Sequence, residues 1–306
     1  MITPSKWLTL QGRGLSESWA LSVLESNNIV SIFDYSNSND VFPHVEIKGG
    51  ICYFLIDPTH NGPCKYSIIQ EGKKSSSNRF LNKWGIVIRD AKAEDILSKV
   101  AAKHGDDYFD KFSFASYVMP RHQYDQGAQL STSWRGYSVT PSSYNNIKCY
   151  LNKQLISDGY GWVSINDIPK NHNTIPFHKI YISKAYGAGE GFPHQILGVP
   201  FYGEPNSVCT DTYIVIRPET GFESEQVAKN AIKYLRSKFF RYLVSVKKKT
   251  QDAARDVYQF VPLQDFTSNS DIDWSKSIEE IDAQLYAKYN LSDEEISFIE
   301  SMIKPM

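Results

Sequence analysis

The chain has no CxxC pair, no two adjacent prolines, no GxxxxGK[ST] loop, no GxSxG elbow and no apolar run of membrane length. Without a CxxC pair, Cys52, Cys64, Cys149 and Cys209 read as buried or free thiols of a reducing compartment, not as a zinc or disulfide framework. No stretch approaches the 18 apolar residues that a membrane span requires, and the opening MITPSKWLTLQGRG has no signal-peptide core. A soluble, cytoplasmic protein is the expectation. A surplus of either charge is also missing, because 33 basic residues face 34 acidic ones. Any contact with a polyanion must therefore come from local clusters. The seven histidines form no HxxxH-type ligand pair, and His172 and His178 read as loop residues.

What is present is a chain of 306 residues, 41% hydrophobic, long enough to bury a substantial core. Residues 1–8 read as a short strand entering a loop. Residues 15–27 place Leu15, Trp19, Val23 and Leu24 at helical spacing. Residues 29–35 and 51–56 are β-branched and aromatic runs of strand length, so the first 57 residues have an α/β rhythm. Between the two runs lies Phe42-Pro43, followed by Gly49-Gly50. The polar stretch 71–78 reads as a linker, and residues 93–103 as a helix. From about residue 112, short aromatic runs at 112–118, 148–151, 179–186 and 212–216 predict mixed or mainly β structure with long loops. A long helix is expected from Ser224 towards Thr250, and a capping box at Ser292 to Glu295 opens a last helix.

Three constellations carry chemistry. The segment 224–250 holds Lys229, Lys233, Arg236, Lys238, Arg241, Lys247, Lys248 and Lys249 without an acidic residue between the first and the last. Such a stripe suits phosphate contacts, and equally an ordinary solvated helix face. The run Lys184-Ala-Tyr186-Gly-Ala-Gly-Glu-Gly191 has nucleotide-loop glycines, but Phe192-Pro193 follows where a helix should start. It reads as a turn or as a loop near DNA. Asp40, Glu46 and Lys48 formally satisfy the D…ExK pattern of magnesium-dependent nucleases, at cramped spacing across Pro43. Aromatic residues beside basic or small ones, such as Trp134-Arg135-Gly136-Tyr137, suit either base stacking or core packing.

The segments MITPSKWL, DYSNSNDVFPHVEIKGGICYFLID, KIYISKAYGAG, CTDTYIVI, KFFRYLVSVKKKTQDAARDVYQFVPLQDF and AKYNLSDEEISFIESMIKPM together resemble the carboxy-terminal half of gamma-class adenine-specific (N6) DNA methyltransferases. These belong to bacterial restriction-modification systems and include combined restriction-and-methylation polypeptides. The resemblance implies an α/β fold class. Residues 1–75 would form the C-terminal part of a methyltransferase-type mixed sheet, with an antiparallel final hairpin. Residues 76–306 would form an α+β target recognition domain with C-terminal helices. It also implies that Phe42, stiffened by Pro43, stacks on the adenine rotated out of the duplex, whereas without the resemblance Phe42 reads as a plug at a strand end. Double-stranded DNA is the implied partner, with Arg13, Lys48, Trp134, Arg135, Lys184, Tyr186, Arg241, Lys247, Lys248 and Lys249 as candidate contacts. The family's S-adenosylmethionine loop and its Pro-Pro-Tyr motif are both missing, since all fourteen prolines are isolated. The cofactor is thus expected in a complete enzyme only, with a separate methyltransferase half or subunit as partner. The alternatives are a nuclease built on Asp40, Glu46 and Lys48, and a non-catalytic module that binds DNA or docks a partner.

Overall fold

The computed structural model describes residues 1–10, 16–44, 47, 49–70, 72–105, 112–154, 156–187, 191–248 and 250–306. The chain divides into two compact units, Met1–Ile96 and Leu97–Met306. The division falls within helix Ala91–His104, beyond the expected boundary at residue 75.

The first unit is built on strands β1 (Ile2–Pro4), β2 (Ile29–Tyr35), β3 (Ile51–Ile56), β4 (Cys64–Gln70) and β5 (Lys73–Arg79), in the spatial order β1-β3-β2-β4-β5. Strand β3 is antiparallel to both β1 and β2, while β2 and β4 run parallel. The apolar-polar alternation of β2 and β3 turns Ile32, Cys52 and Phe54 to one face. There they meet Trp7, Leu8 and Leu24, the last from helix α1 (Glu17–Glu25), whose start is capped by Ser16. Each such fully buried side chain contributes about 1.5 to 3 kcal/mol. The opposite face carries Phe33 stacked on Tyr53 at 4.8 Å, with the Lys74 ammonium 4.6 Å from the Phe33 ring. On that side Ile2, Tyr53 and Leu55 are exposed.

Within the expected linker, residues 73–78 belong to strand β5 instead. Residues 73–79 pair with β4 along its whole length, and the hydroxyls of Ser67 and Ser76 meet across the ladder at 2.8 Å. An edge strand needs no apolar alternation when its backbone finds a complete partner, and lysines on an edge discourage further pairing.

The second unit holds two three-stranded sheets. One has β6 (Ile147–Tyr150) between β7 (Tyr160–Val163) and β10 (Ser207–Cys209), and the other has β8 (Lys179–Ser183) between β9 (Phe201–Gly203) and β11 (Tyr213–Ile216). Their shared core includes Tyr124, Leu130, Val163, Tyr181 and Val208. Helix α2 (Ala91–His104) begins before this unit, which also contains α3 (Glu225–Arg236), α4 (Lys238–Lys247), α5 (Ile278–Lys288) and α6 (Asp293–Met302). The long helix expected after Ser224 is thus two helices. Ser237 turns extended (ψ 150°) between them and caps α4, while the buried Asp282 carboxylate accepts the α4 backbone N–H groups of Lys238 and Phe239, each at 2.9 Å. The capping box expected at Ser292 is present, with Glu295 as its second member. Among the described residues, no helix is long and apolar enough to cross a membrane.

Candidate functional site

The loop joining β2 to β3 starts with a tight turn and ends on two glycines. The Asn37 side chain accepts from Asn39 N (3.0 Å), opening the single turn Ser38–Asp40. Buried Ser38 then organises both arms of the loop. Its carbonyl accepts from Phe42 N at 2.8 Å, and its hydroxyl accepts from Ile47 N at 2.8 Å. At the tip, Phe42 is 40% exposed, Pro43 is exposed and His44 is left-handed (φ 69°). Phe42 is not a core plug. At the return, Gly50 has φ 79°, and a Cβ there would lie 2.0 Å from the Tyr35 carbonyl oxygen. Only glycine permits that approach of the loop's end to the strand from which it began.

Beneath the loop lies a buried charge that residue patterns did not single out. Asp34 of β2 is fully buried and accepts from Ser5 Oγ (2.7 Å) and Tyr66 OH (2.5 Å). Arg89 grips the same carboxylate at both oxygens, Nε to Oδ2 at 2.6 Å and Nη2 to Oδ1 at 2.8 Å. The third Arg89 nitrogen, Nη1, donates to the Gly49 carbonyl at 2.8 Å. One guanidinium therefore ties the end of β2 to the far end of the loop, in the bidentate geometry that makes such pairs strong. Burial opposes the Arg89 charge, but Asp34 outweighs it and the net pKa is raised. Burial, reinforced by the Asp34 carboxylate, pushes the Tyr66 phenol up, so that it stays a donor. The loop is thus fixed at its base while its aromatic tip stands in solvent. That arrangement suits stacking on a flat partner.

The remaining sequence-derived candidates are dispersed. Arg13, Lys48 and Lys249, and Glu46 of the nuclease pattern, lie outside the described residues. Asp40 is exposed in the turn before Phe42. Arg241 is a correction: it is fully buried, donating Nε to the carbonyls of Arg236 and Ser237 and Nη1 to those of Gln195 and Lys304. It ties the α3–α4 junction to the chain's last residues and offers no surface to a phosphate. Four further lysines of the basic stripe bind groups within the protein, whereas Lys229 stays exposed beside Glu225. Lys233 donates to the carbonyls of Trp274 and Lys276, Lys238 pairs with Glu300, Lys247 binds Gln259 and Lys248 donates to the Tyr186 carbonyl. Lys184 pairs with Asp211. Trp134 is half-buried against the β core, whereas Arg135 beside it is exposed. Tyr186 N donates to the Gln251 carbonyl, and next to it lies a cleft of about 370 Å³ lined by Gly187, His194, Ser245, Lys248 and Gln251. Residues 191–200, which follow the glycine run, contain no helix, so no helix starts directly after it.

No family model and no curated protein sequence matches the chain. Among solved structures, the chain is similar to the type IIG restriction endonuclease BpuSI, at 11% identity and a TM-score of 0.37. The likeness covers 97% of this chain and spans 45% of that one. It is a distant likeness to a restriction enzyme and fixes neither fold nor activity.

Proposed function

We propose that this chain is the DNA-recognising, base-positioning part of a site-specific adenine-N6 DNA methyltransferase of a restriction-modification system. The observation that carries the reading is the loop between β2 and β3, clamped below by Asp34 and Arg89 with Phe42 exposed at its tip. The N6 amine of adenine inside a duplex is out of reach of a methyl donor, so the base must be rotated out and held. An exposed ring on a braced loop supplies that hold by stacking, worth about 1 to 3 kcal/mol per base. Pro43 limits the loop's freedom next to the ring.

On this reading the first unit completes a catalytic sheet and the second contacts the target duplex, with exposed Arg135 a backbone or base contact. S-adenosylmethionine supplies the methyl group in the complete enzyme and is held by a partner polypeptide bearing the glycine-rich and Pro-Pro-Tyr motifs. The exposed Ile2, Tyr53 and Leu55 support a sheet that takes a further layer from such a partner.

The test is N6-methyladenine formation in DNA by the assembled enzyme carrying Phe42 variants. Phe42→Ala lowers methyl transfer about 5- to 150-fold, the equivalent of the stacking energy, and Phe42→Trp retains more. Equal rates for Phe42→Ala and parent, at matched folding, remove Phe42 from the site.

A further inference from the structure

The second unit gathers three metal-ligating side chains that the sequence scatters. His122 and Asp125 lie on the segment after Val118, and Asp211 lies on the turn between β10 and β11. The framework around them is tightly joined. Tyr124 is fully buried, its hydroxyl accepting from Thr174 Oγ1 at 3.1 Å, and Leu130 is buried in the same core. Asp211 N donates to the Leu130 carbonyl at 2.9 Å, joining the two segments directly. Lys184 N donates to the Thr212 carbonyl at 3.0 Å, fixing the turn to the end of β8.

The donor atoms already lie at ligand spacing. His122 Nδ1 is 2.8 Å from Asp125 Oδ2 and 3.5 Å from Asp211 Oδ1, and one ligand atom from each residue falls within 4.8 Å of the others. An ion held tetrahedrally at about 2.0 to 2.2 Å places neighbouring ligands roughly 3.3 to 3.6 Å apart, close to the spacing that these donor atoms already have. The Asp125 side chain is 7% exposed and meets an imidazole, while Lys184 sits on the other carboxylate. The cluster thus holds two carboxyl groups and an imidazole with one ammonium beside them. His122 is 58% exposed, so the open side of the cluster faces solvent.

We propose that His122, Asp125 and Asp211 form a solvent-accessible binding site for a divalent transition-metal ion, zinc by the chemistry of one imidazole and two carboxylates. Magnesium and calcium favour all-oxygen sites, and the imidazole selects against them. Bound metal cross-links the 119–131 segment to the β10–β11 turn, with coordination positions left for water or an anionic ligand.

The experiment is calorimetric titration of zinc chloride into the metal-free full chain, with circular dichroism confirming the fold. It predicts one saturable micromolar site that excess magnesium does not displace, and visible d–d absorption when cobalt replaces zinc. His122→Ala changes an exposed side chain and weakens zinc binding at least tenfold, as does Asp211→Asn, and both lose the cobalt bands. The proposal is overturned by a folded parent without saturable zinc binding, or by His122→Ala binding zinc as tightly as the parent.

Discussion

Asp34 and Phe42 follow one another closely along the chain and face opposite environments. The carboxylate is sealed under the loop, and the ring is left outside it. Removing Arg89 leaves Asp34 buried with only hydroxyl donors, and breaking a buried pair in this way costs about 3 to 5 kcal/mol. Arg89→Ala is therefore expected to destabilise the first unit by about that amount. Hydrogen exchange at Ile51 to Phe54 should quicken, while protection in α5 and α6 is unchanged. Unaltered exchange in β3 would mean that the clamp does not brace the loop. A second buried ion, Lys179 of β8, is fully enclosed and donates to the carbonyls of Ile175 and Ser207, each at 2.9 Å. Burial lowers its pKa from 10.5 to about 7. Between those values the unfolded chain carries a proton that the folded chain has released, so this residue makes stability rise with pH across the window and stay flat below it. Urea unfolding at about pH 7 and about pH 9.5 should show that rise in the parent, and a smaller one in Lys179→Met. An identical pH dependence in the variant would show that the lysine is charged in the folded protein.

At the scale of elements, strands β2 and β3 were legible in the sequence to the residue, because β-branched and aromatic runs were bounded by turn residues on both sides. Strand β5 was not legible: KKSSSNR carries no apolar alternation, and only its pairing with β4 makes it a strand. The break at Ser237 was hidden because the apolar period continues through both helices, whereas the Asp282 carboxylate that accepts the freed N–H groups lies far along the chain. The same distance hid the partners of Asp34 and of Asp211. The basic stripe was legible as a stripe, but Lys233, Lys238, Lys247 and Lys248 are engaged within the protein. Lys247→Gln with Lys248→Gln should therefore leave the salt dependence of DNA affinity unchanged, while Arg135→Gln should reduce the slope of log K against log salt by about 0.9, the value of one phosphate contact. The opposite result would return the stripe to the DNA-facing surface.

For the whole molecule, the chain forms two compact units, the first with exposed apolar residues on one sheet face, and the sequence carries no Pro-Pro-Tyr motif. The central claim is that this chain positions DNA for chemistry whose cofactor is held elsewhere. The most direct measurement compares two preparations, the purified 306-residue chain alone and the chain co-expressed with a polypeptide bearing the glycine-rich and Pro-Pro-Tyr motifs. Both are assayed for S-adenosylmethionine binding by calorimetry and for N6-methyladenine in DNA. The account predicts no binding and no methylation by the chain alone, and site-specific N6 methylation by the complex, with the site following this chain when it is exchanged for another. Micromolar S-adenosylmethionine binding and DNA methylation by the chain alone would contradict it.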